Sequence, residues 1–239
     1  MKHYAMIIAL AVSAAFTAGS SAQTIHRQLT VGDFTAINLA NGVNVVYEQN
    51  TAKAGKVEFD TPQELANNFI FKVDDNGKLN IQVQETAKGT VLPTLHVYSS
   101  ALHEVTNNTD STITVAHLGT TPTFKATTNM NGKIVVNDLN TSTASLSIAT
   151  GKGHIYAYGK TEKLNCTLAG TGQIHALDLV ADEINCKMGG SGHIYCNSNG
   201  GELKVKGLGS GKVHYKGSPS KVNVKQIGTI KALPYTEGK

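Results

Sequence analysis

Four ring-bearing residues recur at near-constant spacing and carry the side chains of this chain best suited to chemistry: Tyr156, His175, Tyr195 and His214. Each directly follows an Ile or Val, at 155, 174, 194 and 213. If each occupies the same place on successive strands about 4.8 Å apart, the rings form an outward ladder. Such a ladder could stack against sugar rings, or hold a divalent metal through neutral imidazoles. It could equally do no more than stabilise its own strands, as cross-strand pairs ordinarily do. The residue types leave both readings open.

Asp138 and Asp178 are the other candidate pair. The repeat aligns them two strands apart, about 10 Å at ideal stacking, with Gly159 as the intervening equivalent. That is near the upper limit for an inverting glycosidase pair. No third carboxylate joins them, so capping of turns is the better account. Cys166 and Cys186 fall at equivalent positions of adjacent repeats, within disulfide reach, while Cys196 lies in another column. Three stacked free thiols acting as small core residues is the favoured reading. Gly189-Gly-Ser-Gly-His193 has a histidine where a calcium-binding nonapeptide repeat needs an aspartate. Gly207-Leu-Gly-Ser-Gly-Lys212 lacks the Walker spacing. No pattern calls for a metal or another cofactor, and no catalytic set emerges.

The elements that must position these residues follow from an internal period. Ile113, Ile134, Ile155, Ile174, Ile194, Val213 and Ile230 are separated by 21, 21, 19, 20, 19 and 17 residues, and from the second onward each is preceded by Gly132, Gly153, Gly172, Gly192, Gly211 or Gly228. A fixed period of this length means a solenoid, whose repeats bury their apolar faces only by stacking. Strict alternation marks the strands: Leu164, Cys166 and Leu168 enclose Asn165 and Thr167. Two inward columns result, Phe124/Ala144/Leu164/Ile184/Leu203 and Ala126/Leu146/Cys166/Cys186/Val205. The Ile/Val series supplies a further one, extended by Val136, Ala157, Ala176, Cys196 and Tyr215. The glycines fall at corners, where positive φ or a missing Cβ is needed.

Residues 24–100 have the same strand chemistry without a clean period. Six runs read as strands, from Phe34–Leu39 to Leu95–Val97. Asn76-Gly77 marks a hairpin, and Thr61-Pro62-Gln63-Glu64 has the spacing of a capping box, predicting a short helix to about Asn68. Ahead of these, Lys2 and His3 precede an apolar run from Tyr4 to Phe16 and the small residues Ser20 and Ala22. This reads as a signal peptide over residues 1–22, with cleavage near Ala22. Losing Lys2 lowers the formal charge from +4 to +3, too weak and scattered a balance for a nucleic-acid partner. No segment of the mature chain is long and apolar enough for a transmembrane helix.

Phe34–Tyr47, Asp75-Asn-Gly-Lys-Leu-Asn-Ile81, Gly170-Thr-Gly-Gln-Ile174, Gly190-Ser-Gly-His-Ile194, Gly209-Ser-Gly-Lys-Val213 and Tyr215-Lys-Gly-Ser-Pro219 together resemble the exported bacterial auto-transporter adhesins with a head GIN domain. The resemblance spans roughly residues 30–232. It implies a β-helix with glycine-rich corners and an adhesive role, and brings no catalytic residues. Two departures stand out: His154, Gln173, His193 and Lys212 replace an acidic residue frequent after the glycine, and no lipid-acceptor cysteine is present.

The expected organisation is all-β: residues 23–110 an irregular N-terminal β region, 111–232 a regular β-solenoid of the same domain, and 233–239 a tail. The expected function is that of an exported, non-enzymatic binding or adhesion module in the periplasm, at the cell surface or secreted, with a cell-surface glycan or protein as partner. The alternatives are a carbohydrate-active β-helix enzyme and a purely structural envelope protein.

Overall fold

A computed structural model describes residues 24–84 and 91–236; the signal segment lies outside them. The fold is a β-solenoid. Its strands are β1 (Thr24–Thr30), β2 (Ala36–Leu39), β3 (Val45–Gln49), β4 (Lys56–Pro62), β5 (Phe69–Val73), β6 (Lys78–Val83), β7 (Leu95–Ser99), β8 (Glu104–Asn107) and β9 (Thr112–His117). They continue as β10 (Thr121–Thr128), β11 (Lys133–Ile148), β12 (His154–Leu168), β13 (Gln173–Met188), β14 (His193–Ser198), β15 (Glu202–Gly209), β16 (Lys212–Gly217), β17 (Lys221–Gly228) and β18 (Lys231–Pro234).

Two faces run the length of the coil. On the first, β7, β3, β9, the leading halves of β11, β12 and β13, then β14, β16 and β18 pair in parallel. On the second the order is β6, β2, β8, β10, the trailing halves of β11–β13, β15 and β17, again all parallel. The long strands β11–β13 bend from one face to the other through register breaks, such as that between Val136 and Leu139. Parallel pairing in register puts like on like: Ile134, Ile155, Ile174, Ile194 and Val213 stack, as do Ala144, Leu164, Ile184 and Leu203, all fully buried. Each large aliphatic side chain buried this way contributes about 1.5–3 kcal/mol before entropy is counted.

The N-terminal end is closed. β4 pairs antiparallel with both β7 and β1, and β5 pairs antiparallel with β6 through a turn at Gly77, which takes φ +70°. The Asp74 carboxylate accepts the backbone N–H of Asn76 and of Lys78 there. Beneath this end Tyr47 is fully buried with its hydroxyl 2.9 Å from Ser99 Oγ, and burial pushes its phenol up to about 12.

Several local expectations change. The capping-box helix is a single 3₁₀ turn, Gln63–Leu65, because Thr61 belongs to β4 as a buried strand residue and Pro62 is the cap, with no side-chain hydrogen bond. Ile230 does not continue the aliphatic column: Ala232 stands opposite Val213, and Gly228 pairs with Gly209 rather than following Gly211. The last interval is therefore 19 residues, and the chain beyond 232 continues in β18 and in a Tyr235 N–H to Tyr215 carbonyl bond of 2.7 Å. Tyr215 is half-buried, not a core residue. The three cysteines are buried free thiols; contact with Cys166 together with burial holds Cys186 well above the usual thiol range.

At the repeating corner the demand on glycine is close approach rather than backbone angle. Gly192 has no left-handed φ, yet a Cβ placed on it would collide with the carbonyl oxygen of Gly172, its equivalent one rung back. Three residues earlier, a Cβ on Gly189 would lie 3.7 Å from Ala169 Cα, an ordinary contact. Gly192→Ala should therefore lower stability by about 1–3 kcal/mol, whereas Gly189→Ala should stay within about 0.5 kcal/mol of the parent. Urea-denaturation midpoints of the two variants check this.

Candidate functional site

The register places Tyr156, His175, Tyr195 and His214 opposite one another on β12, β13, β14 and β16. Their rings lie parallel, with centroids 4.5, 5.0 and 4.9 Å apart and planes within 2–14°. His154 and His193, two residues earlier on their strands, lie against the same stack. The rung spacing fits the thickness of stacked rings, so each ring covers its neighbour's face. Lys133 Nζ sits 5.9 Å above Tyr156 at one end, and Leu233 stands opposite His214 at the other. The ladder therefore turns ring edges, not faces, to solvent.

Electrostatically the ladder favours neutral imidazoles. Burial lowers the His175 pKa, and the neighbouring His154 and His193 lower it further; burial, then His193 and Lys212, lower that of His214. His193 Nδ1 approaches His214 Nε2 at 3.3 Å. Among the described residues no cluster of three or more His, Cys, Asp or Glu has metal-binding geometry.

Asp138 and Asp178 come to the surface at the bend. The register pairs Gly159 with Leu139 and Leu179, so the residue between the two aspartates is Tyr158, one position earlier than the repeat suggests. Asp138 takes φ +53°, the left-handed turn conformation that Asp tolerates. Both are exposed, and neither lines the groove of Thr121, Thr141 and Thr161.

The concave feature lies past that bend. A groove of about 940 Å³ crosses five rungs and is lined by Thr120–Pro122, Asn140–Ser142, Lys160–Glu162, Val180, Asp182 and Asn199. Its floor repeats a single device. Thr121, Thr141 and Thr161 each donate the hydroxyl hydrogen to the carbonyl two residues on, at 3.1, 3.3 and 3.1 Å, which leaves the oxygen lone pairs as acceptors. Asn140 Nδ2 bonds Thr120 Oγ1 at 3.0 Å, and Asn199 Nδ2 bonds Asp182 Oδ1 at 3.0 Å. Reading the aliphatic columns misses this groove. Its signal was the threonine at 121, 141 and 161, a polar column with the same period.

The model of the family described as "putative auto-transporter adhesin, head GIN domain" matches residues 33–219. The chain belongs to this family. Solved structures with the same fold include a putative adhesin from Bacteroides fragilis, 22% identical with TM-score 0.79 over 89% of this chain and 98% of that one. A putative adhesin from Parabacteroides merdae is 21% identical, TM-score 0.65, over 88% and 96%. A protein from Parabacteroides distasonis described as a putative lipid binding protein is 21% identical, TM-score 0.61, over 88% and 96%. No curated protein matches the chain. For this head GIN domain protein the family supports a binding role, and among the described residues no helix is long and apolar enough to cross a membrane.

The lowered imidazole values set a pH dependence. Since His175 and His214 bind protons less readily folded than unfolded, their contribution is full above the ordinary histidine value of 6.5 and is lost as pH falls through the folded values. The melting temperature should fall between pH 7.5 and 5. His175→Asn should flatten that slope, as followed by thermal circular dichroism across the pH series.

Proposed function

We propose that the protein is an exported, non-enzymatic adhesion module of the bacterial cell envelope that holds a surface polysaccharide in the threonine-floored groove. The observation carrying this reading is the groove itself: an open trough of hydroxyl, amide and charged side chains repeating at the rung spacing across five rungs. A ligand rich in hydroxyl groups matches a floor of acceptors flanked by Asn140, Lys160 and Asp182. Exposed Val180 offers a small apolar contact of the kind a sugar face accepts. The ring ladder serves this reading as a stiffener of the opposite wall, since its ring faces are occupied by one another.

One observation favours a second reading, a carbohydrate-active enzyme. Glu162 and Asp182 follow paired Thr161 and Ala181 on adjacent rungs of the same groove, and a rung spacing of about 4.8 Å is close to the carboxyl separation of retaining glycosidases, about 5–5.5 Å. Both carboxylates are solvent-exposed, however, in an open trough with no wall to exclude water from a reacting bond. The envelope location rests on the family and on the leader-like first 22 residues.

A glycan array read with the purified protein tests both. Asn140→Ala combined with Lys160→Ala should reduce binding at least tenfold, while His214→Ala should leave it within twofold. Binding without release of reducing ends supports adhesion; release abolished by Glu162→Gln would establish the enzyme instead. A blank array, or loss on His214→Ala alone, would move recognition away from the groove.

A further inference from the structure

The C-terminal end of the coil differs from the N-terminal end in both pairing and charge. β17 pairs only with β15, and β18 only with β16, among the described residues. Val222 and Val224, which continue the buried Leu203 and Val205 columns, are each 38% exposed. Leu208 and Ile227 stand opposite each other on the outside at 57% and 73% exposure. Leu208 and Ile227 share the outward face, while Val222 and Val224 face the end of the core.

Lysines border the outward pair. Lys187, Lys206 and Lys225 are directly opposite on successive rungs, all exposed, and Lys206 and Lys225 stand two positions before Leu208 and Ile227 on the same outward face. Like charges in this arrangement destabilise a sheet. Earlier on the same strands, charge is arranged differently: Lys163 and Lys204 both pair with Glu183, and Lys204 also with Glu202. The fold balances one column with carboxylates and leaves the other wholly cationic. Lys212 and Lys231 repeat the pattern on the other face. Protection of an edge strand accounts for Lys221 and Lys225; it does not account for Lys187 and Lys206, which are not on the edge.

We infer that the outward face at this end docks on an anionic lipid surface, with the lysines over the headgroups and Leu208 and Ile227 entering the acyl boundary. Apolar side chains rimmed by lysine are what an interfacial lipid site requires. A second copy meeting this end would bring two sets of lysines together, and a soluble polyanion would leave the apolar side chains uncovered. The inference uses none of the groove's residues, although Lys187 shares β13 with Val180 and Asp182.

Vesicle co-sedimentation of the purified protein decides it. Vesicles of phosphatidylglycerol and phosphatidylcholine should bind at about 50 mM salt and release the protein at about 0.5 M, where charge is screened within roughly 4 Å; pure phosphatidylcholine should not bind. The triple variant Lys187→Gln, Lys206→Gln, Lys225→Gln should lose roughly 100-fold in affinity, at about fivefold per lysine. Leu208→Ser with Ile227→Ser should lose at least tenfold. Removing three charges elsewhere, with Lys72→Gln, Lys133→Gln and Lys152→Gln, should change binding less than twofold. An equal loss in that control triple would overturn the inference. So would binding of polygalacturonate without binding of anionic vesicles, or a sedimenting dimer dissolved by Ile227→Ser. Because the lysine column is self-repelling, Lys206→Glu should raise the melting temperature while weakening vesicle binding roughly 25-fold, at about fivefold per unit charge, a pairing of effects that misfolding would not give.

Discussion

Parallel pairing in register is the constraint on which the molecule depends. Each backbone on a face must find its hydrogen bonds on the rung before and the rung after, and in-register parallel stacking leaves every side chain facing its own equivalent. Isoleucine meets isoleucine, glycine meets the carbonyl of glycine, imidazole meets phenol, and lysine meets lysine. A residue type tolerable once must be tolerable in a column. For aliphatic residues this builds the core without further device; for rings it yields stacking, because the rung spacing is close to the separation of aromatic planes. For lysine it yields a cost that nothing within the fold offsets.

This constraint also shapes the surfaces of the coil. A column of rings on a flat parallel face saturates its own ring faces, so a ladder of Tyr156, His175, Tyr195 and His214 becomes less available as it becomes more regular. Concavity arises instead where the register breaks. Between Val136 and Leu139, and again between Ala176 and Val180, the strands bend and the rungs lose strict equivalence. The groove floor begins immediately after these bends. Thr121, Thr141 and Thr161 are suited to that place because each hydroxyl closes onto a carbonyl of its own strand.

The same physics explains how much could be read from residues alone. The aliphatic columns were legible because burial repeats with the period, and the strands of the N-terminal region were legible from alternation. Register across the bends was not: an extra residue there moves Tyr158 between the two aspartates where counting places Gly159. The last repeat misled for a similar reason, since Ile230 is apolar and follows a glycine by two, yet Ala232 holds the equivalent position. Ring positions followed from spacing, but ring orientation depends on side-chain rotation and packing that spacing does not encode. The threonine column had the right period and the wrong polarity for a search directed at the core.

The two ends of the coil show what the repeat cannot do for itself. A parallel stack always leaves a last rung whose core is open and whose backbone groups have no further partner, and natural sheets manage such edges explicitly. At the N-terminal end the chain reverses direction: β4 and β5 pair antiparallel, and Phe59 packs against Phe69 and Phe71 with centroids 4.8 and 6.1 Å apart, covering the first rungs with apolar rings. At the C-terminal end, among the described residues, the strands stay parallel, and the inward columns continue as the part-exposed Val222 and Val224. Lysines there discourage another strand or another copy from adding on, but they do not shield the apolar side chains from water. One end is therefore finished by the chain's own covalent reversal, while the other, among the described residues, keeps its parallel pairing and is guarded by lysines against β-pairing.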